Sequence, residues 1–117
     1  MEYRRIGRSG LKASMIGLGC NNFGRLIDYE ASVPVVHKAL DLGVTFFDTA
    51  DRYGIGGGLS EQYLGKALGA RRKDIVLATK FGNPMGDASC ATAASRRYIV
   101  QAVEASLKRL GTDWIDL

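Results

Sequence analysis

Short apolar runs alternate with helical stretches along this chain, and that alternation restricts the possible folds more than any other feature. The runs at 14–19, 44–49 and 74–80 are rich in aliphatic, β-branched or aromatic residues, and a fourth run starts at 113–117. Segments with apolar residues at helical spacing separate them. This order predicts βαβ units with right-handed crossovers and a parallel sheet.

Two helices are expected in the first half of the chain. Pro34 is comfortable only in the first turn of a helix, so the first helix is predicted to begin near Ser32 and to end before Gly43. The second is predicted over 60–68, with Ser60 as its N-cap.

Residues 95–111 give the clearest helical pattern. Ser95 is the expected N-cap and Gly111 the expected end. One apolar stripe is predicted, formed by Ile99, Val103, Leu107 and Leu110. Upstream, a small hairpin with its turn at Arg8–Gly10 is expected, and 82–94 is expected to be a loop of small residues.

Composition excludes several classes of protein. With 117 residues and a net charge of +4, the chain is expected to form one globular domain. Its basic residues are scattered, which favours a solvated surface over a nucleic-acid-binding stripe. They include Arg4, Arg5, Arg8, Arg71, Arg72, Lys73, Arg96, Arg97, Lys108 and Arg109. No signal peptide is expected, because the first ten residues lack an apolar segment, and no apolar run is long enough to span a membrane.

The cysteines and the histidine predict no metal site. Cys20 and Cys90 lack the spacing of metal ligands or of a disulfide framework, and His37 is the only histidine. A reduced, cytoplasmic setting is therefore expected. Cys20 is either a redox-sensitive thiol or, more simply, a buried inert cysteine.

Polar side chains follow the predicted strands. Asn21 and Asn22 come after the first, Asp48 ends the second with Tyr53 in the following loop, and Lys80 ends the third. Ligands of such sheets bind at the carboxyl ends of the strands. Structural roles remain open, since the aspartate can cap a turn, the tyrosine can pack on a rim and the lysine can be solvated.

An aspartate, a lysine and a tyrosine that converge have a chemical use. A free phenol has a pKa of about 10 and is a poor acid at neutral pH. A nearby ammonium favours the phenolate and lowers that value, while a carboxylate keeps the ammonium charged and oriented. Such a phenol can give a proton to a developing alkoxide, a step worth about 10²–10⁴-fold in rate.

Several strings resemble segments of the aldo-keto reductase family, in the same order. They are "FFDTADRYG", "ATKFG" and "EASLKRLGTDWIDL", supported by "GLGCNNFG" and "LSEQYLGKAL". The resemblance implies a (β/α)8 barrel whose N-terminal hairpin closes the bottom. It also implies NADPH, bound without a Rossmann domain, and reduction of a small carbonyl substrate.

The resemblance assigns roles to individual residues. Tyr53 matches the family's general acid, Lys80 the lysine that tunes it, and Asp48 the aspartate paired with that lysine and near the nicotinamide ribose. Gly19, Cys20 and Asn21 match the loop that lines the nicotinamide end. A Rossmann fingerprint is disfavoured, because Asn22 stands where G-x-G-x-x-G requires glycine.

The chain covers only part of such a barrel. A whole barrel needs about 250 residues, and residues 1–117 correspond to the hairpin and about three and a half of eight βα units. The family's catalytic histidine after the fourth strand has no counterpart, and His37 does not match its motif. We expect an incomplete N-terminal portion that needs the rest of the barrel and has little activity alone. The alternatives are a cofactor-sensing or partner-binding barrel without catalysis, or an assembly half of a split barrel.

Overall fold

The computed structural model describes residues 1–83, 85 and 93–117. Most of the predicted 82–94 loop, including Cys90, lies outside the described residues. The strands are β1 (Tyr3–Arg5), β2 (Lys12–Ser14), β3 (Gly17–Gly19), β4 (Phe46–Asp48) and β5 (Val76–Ala78). The helices are α1 (Tyr29–Asp41), α2 (Leu59–Leu68) and α3 (Arg96–Leu110), with a 3₁₀ helix over Gly69–Asp74.

The predicted parallel sheet is present. Strands β3, β4 and β5 are parallel neighbours in that order, and each is only three residues long. Gly19, Asp48 and Ala78 are in register, so the carboxyl ends of all three strands lie side by side. Any polar side chain just after these residues therefore lies at one edge of the sheet.

The hairpin β1–β2 is antiparallel and is fixed to the opposite end of the sheet. The Tyr3 hydroxyl donates to the Gly43 carbonyl at 2.9 Å. Ser14 and Thr45 exchange two hydrogen bonds, at 2.9 and 2.8 Å. Because Gly43 and Thr45 precede β4, the hairpin covers the amino ends of the strands, as expected for the bottom of a barrel.

The prediction for the start of α1 was wrong. The helix begins at Tyr29, because Asp28 is the N-cap and its carboxylate accepts from the Ala31 amide at 2.9 Å. Pro34 lies inside the helix and leaves one backbone bond unmade. The cap and the burial of Val36, which is 0% exposed, offset that cost.

Ser60 is not the N-cap of α2, contrary to the prediction. Gly58 occupies that position with a left-handed φ of 82°, and no side chain among the described residues caps the helix. The Ser60 side chain is fully buried, because its hydroxyl binds groups near the ends of the strands instead.

The caps of α3 are confirmed, but its apolar stripe is only partly correct. Ser95 accepts from the Tyr98 amide, and Gly111 ends the helix in the left-handed region. Leu110 is buried, whereas Val103 is 40% exposed. The buried face of the helix includes the large Tyr98 side chain, whose hydroxyl donates to a loop carbonyl.

Residues 113–117 do not form an assigned strand in the described structure, although a strand start was expected there. The amides of Asp116 and Leu117 both donate to the Leu77 carbonyl, and Leu117 accepts from Thr79 at 3.0 Å. These three hydrogen bonds join the segment to the edge of β5, and they are too few to form the regular hydrogen-bond ladder of a strand.

The interpretation of every basic residue as surface was wrong for Arg72. This residue is 7% exposed and donates to the carboxylate of Asp116 and to the carbonyl of Trp114, both at 2.9 Å. Its guanidinium also lies over the Trp114 ring. Arg72 is buried because it binds residues 114 and 116 next to the sheet.

His37 lies on α1, and its ring contacts the Ala67 carbonyl of α2, so it has a role in packing.

Candidate functional site

The aspartate, lysine and tyrosine singled out from the sequence meet at the carboxyl edge of the sheet. Asp48 is the last residue of β4, and Lys80 lies two residues beyond β5. The Lys80 ammonium donates to the Asp48 carboxylate and, at 2.9 Å, to the Thr49 carbonyl. The same nitrogen lies 5.0 Å from the centroid of the Tyr53 ring.

The surroundings of Lys80 keep its ammonium charged. Partial burial lowers the pKa of Lys80, but the hydrogen bond and the negative charge of Asp48 raise it, and Tyr53 acts in the same direction. The net result is a raised pKa. The site therefore holds a fixed positive charge beside a phenol at neutral pH.

The loop that carries Tyr53 is held by main-chain hydrogen bonds. Tyr53 donates to the Ala50 carbonyl at 3.2 Å and accepts from the Ser60 amide at 3.1 Å. The Asp51 amide donates to the carbonyl of Lys80, also at 3.1 Å. These bonds fix the tyrosine relative to both α2 and the end of β5.

The glycines after Tyr53 are required by the shape of this loop. Gly54 has a φ of 96°, and a Cβ there would lie 2.6 Å from the Leu59 Cβ. The Ile55 amide then donates to the carbonyl of Gly24 at 2.8 Å, which joins this loop to the one after β3. The glycine run thus brings the loops after β3 and β4 together.

The first turn of α2 supports the site from below, a feature that the sequence interpretation missed. The buried Ser60 hydroxyl donates to the Cys20 carbonyl at 2.7 Å and contacts the Thr49 hydroxyl at 2.8 Å. Glu61, also fully buried, accepts from the Thr79 hydroxyl at 2.6 Å. Cys20 is itself a predicted site residue, and Thr49 and Thr79 directly follow and precede the predicted site residues Asp48 and Lys80.

A buried charge cluster lies beside this turn. Arg109 of α3 donates to the Glu61 carboxylate at 2.6 Å, so the expectation of a surface Arg109 was also wrong. Asp51 is 2% exposed, and one of its carboxylate oxygens makes no hydrogen bond to any residue in the described part of the chain. Burial and the neighbouring charge of Glu61 raise the pKa of Asp51, although the Arg52 amide and the arginine charges partly oppose this.

A cleft of about 530 Å³ opens next to the trio. It is lined by Gly19, Cys20, Asn21, Arg25, Asp48, Arg52, Tyr53 and Gly54. All the residues predicted to face a cofactor are among them, together with the tyrosine. Sequence reasoning missed the two arginines, of which Arg52 stands inside the quoted string "DTADRYG".

The walls of the cleft are suited to the ribose and amide end of a dinucleotide. Gly19 has no side chain, and a Cβ there would touch only the Asn21 amide oxygen, at 3.8 Å. Asn21 is exposed and Asp48 is partly exposed, so an amide and a carboxylate are available to form hydrogen bonds with the hydroxyl groups of a ligand.

The thiol of Cys20 is 0% exposed, and its burial, reinforced by the charge of Asp48, raises its pKa to about 12. That favours the inert alternative for this thiol.

The described residues offer neither a metal site nor a membrane-spanning helix. Residues 1–83, 85 and 93–117 contain no group of three or more histidine, cysteine or acidic side chains arranged to hold a metal ion. In the same residues, no helix has both the length and the apolar character needed to cross a bilayer.

Comparisons with known proteins show the family of this chain. Residues 15–117 match the model of the Aldo/keto reductase family. The chain is 35% identical to L-glyceraldehyde 3-phosphate reductase of Escherichia coli (strain K12) and 38% identical to a probable voltage-gated potassium channel subunit beta of Arabidopsis thaliana. Both alignments cover 100% of this chain, which spans only 35% and 36% of those proteins.

The fold agrees with solved structures as well. The holo form of the aldo-keto reductase AKR11C1 from Bacillus halodurans superposes with a TM-score of 0.86 at 42% identity. That superposition covers 98% of this chain and 38% of the solved one. The partial α/β architecture is thus the N-terminal part of a (β/α)8 barrel, as the sequence predicted.

Proposed function

Because this chain belongs to the aldo/keto reductase family, we propose that the complete protein reduces aldehydes or ketones to alcohols with NADPH, and that Tyr53 is the proton donor. The observation that carries the proposal is the Lys80 ammonium, bonded to Asp48 and 5.0 Å from the Tyr53 ring centroid at the wall of a cleft. Hydrogen bonds hold the side chains of Asp48 and Lys80 and the main chain of Tyr53, so little reorganisation is needed for proton transfer.

In this proposal each residue has a separate role. When bound, NADPH supplies the hydride that reduces the carbonyl carbon. Tyr53 gives its phenolic proton to the carbonyl oxygen, so the product is an alcohol and the tyrosine is left as a phenolate. Lys80 stabilises that phenolate by its charge, and solvent restores the proton. Asp48 keeps the ammonium charged and oriented.

The cleft supports the assignment of a nicotinamide cofactor. Gly19, the Cys20 backbone and Asn21 line the cleft together with Asp48 and Tyr53, and they leave open space and hydroxyl-binding groups of the kind that a ribose requires. The choice of NADPH over NADH follows from the family resemblance alone.

Oxidation of NADPH by the complete protein, with a broad substrate such as 4-nitrobenzaldehyde, tests the proposal. Tyr53→Phe removes only the hydroxyl and is expected to lower kcat by about 10²–10⁴-fold. Tyr63→Phe is the matched control, because Tyr63 lies on α2, where its ring packs against Tyr29 of α1, and it is not among the residues that line the cleft. A Tyr53→Phe enzyme within about threefold of wild type would refute the assigned proton donor.

A second candidate function is a cofactor-sensing subunit of a larger assembly. The similarity to a probable potassium channel subunit beta favours it, and the trio does not discriminate, because a sensing barrel keeps the same residues. Turnover of aldehydes supports the enzyme. Tight NADPH binding without turnover, together with capture of a membrane partner, supports the sensor.

A further inference from the structure

Two arginines line the proposed catalytic cleft from different loops. Arg25 belongs to the loop after β3, and Arg52 directly precedes Tyr53. The hydrogen bond between Ile55 and Gly24 joins these two loops. Arg25 itself follows Gly24, and its amide donates to the Asn22 carbonyl at 3.1 Å. Both guanidinium groups are therefore carried by braced loops at the mouth of one cleft.

The balance of charge in the cleft is positive. Within residues 1–83, 85 and 93–117, neither Arg25 nor Arg52 forms an ion pair. The carboxylate that also lines the cleft, Asp48, is neutralised by Lys80. Asp51 is buried, and the charge of Arg52 is the smallest of the influences on the pKa of its carboxyl group. Two exposed cations thus remain among the residues that line the cleft.

We propose that Arg25 and Arg52 determine substrate choice by binding an anionic group, so that the preferred substrate is a small carbonyl compound with a carboxylate or a phosphate. The inference rests on the proposed function. A guanidinium presents a planar fork of donors that matches both kinds of oxyanion. The anion would lie at the mouth of the cleft while the carbonyl reaches Tyr53 deeper in the same wall.

Matched pairs of aldehydes test this in the complete protein. One pair is 4-carboxybenzaldehyde and its methyl ester, and the other is glyceraldehyde 3-phosphate and glyceraldehyde. The measured quantity is the ratio of kcat/KM for the charged and the neutral member. The pair with the larger wild-type ratio identifies carboxylate or phosphate as the preferred anion.

Arg25→Met and Arg52→Met are each expected to lower that ratio about tenfold, as loss of one charge-assisted hydrogen bond does. The double variant is expected to lower it about a hundredfold. Lysine at either position is expected to restore part of the ratio, because it keeps the positive charge but lacks the planar pair of donors of a guanidinium. Arg8→Met is the matched control: it removes the same charge from the exposed hairpin turn and leaves the ratio unchanged.

Two results would overturn the inference. One is a ratio within threefold of wild type in the double variant. The other is an equal rise in the KM for NADPH with every aldehyde, which would assign the arginines to the cofactor. If wild-type protein reduces none of the four aldehydes, a binding measurement decides on the anion site instead, and the proposed function fails only if 4-nitrobenzaldehyde is not reduced either. Calorimetric binding of 4-(hydroxymethyl)benzoate, but not of its methyl ester, that is lost in the double variant would still support the anion site, and equal binding in both proteins would refute it.

Discussion

Replacement of Arg109 by methionine is expected to cause one of the largest losses of stability available in this chain. Arg109 donates to Glu61 at 2.6 Å, and Glu61 is 0% exposed. Methionine keeps much of the aliphatic volume and removes the charge, so an uncompensated carboxylate stays buried. Breaking a buried ion pair in this way costs about 3–5 kcal/mol. The Arg109 side chain is 21% exposed and the Thr79 hydroxyl still donates to Glu61, so the lower value, about 3 kcal/mol, is expected.

Urea unfolding of the complete protein, followed by far-UV circular dichroism, measures this loss. With a urea m-value of about 1–3 kcal/mol/M, the midpoint is expected to fall by about 1–3 M. Arg97→Met, on the exposed face of the same helix, is the control and is expected to change the free energy by less than about 0.5 kcal/mol.

A second substitution separates the charge from the packing. Glu61→Gln in the Arg109→Met background removes the unpaired charge and keeps an oxygen to accept from Thr79, so at least half of the lost stability is expected to return. The reasoning is refuted if Arg109→Met costs less than about 1 kcal/mol. It is also refuted if the double variant is no more stable than the single one.

Three further predictions use the same unfolding measurement. Gly65→Ala would bring a methyl group to 2.6 Å from the Leu110 carbonyl carbon, so a loss of about 1–3 kcal/mol is expected, and an unchanged midpoint contradicts the close approach of the helices. Asp51→Asn removes a buried carboxylate whose pKa is raised by burial and by Glu61. The folded protein binds that proton more tightly than the unfolded chain, so the contribution of Asp51 to stability falls as pH rises above about 3.8. A gain in stability at neutral pH that shrinks in acid is therefore expected for the variant. The raised pKa of Lys80 predicts a contribution that is complete below about pH 10.5 and is lost at higher pH as the folded lysine titrates, and a Lys80→Met protein with the same alkaline pH dependence as wild type would contradict it.

The order of elements and the trio could be predicted because both follow from local patterns. Parallel strands bring their carboxyl ends to one edge, so Asp48, Tyr53 and Lys80 had to lie near one another once the strands were identified. The start of α1 could not be predicted from Pro34 alone. Asp28 supplies a strong cap four residues earlier than Ser32, and the burial of one face offsets the lost backbone bond.

The roles of Ser60 and Arg109 could not be predicted because the sequence does not show which polar residues are turned inward. A serine before an apolar run is typical of an N-cap, yet here Gly58 starts the helix and the hydroxyl points to the strands. An arginine near the end of an amphipathic helix is usually solvated, yet here its partner Glu61 is buried on a different helix. Long-range pairing decides both cases.

The buried polar residues of α2 explain how strands of only three residues can hold a site in place. Such short strands make few ladder bonds, so the positions of Asp48 and Lys80 depend on other restraints. The first turn of α2 supplies them, because Ser60 binds groups in the loops after β3 and β4, and Glu61 binds the residue before Lys80. A buried carboxylate is costly without a cation, so the restraint at Lys80 requires Arg109 on α3. Damage to this ion pair should therefore displace the lysine and lower activity through the geometry of the trio, although Arg109 itself touches none of its three members.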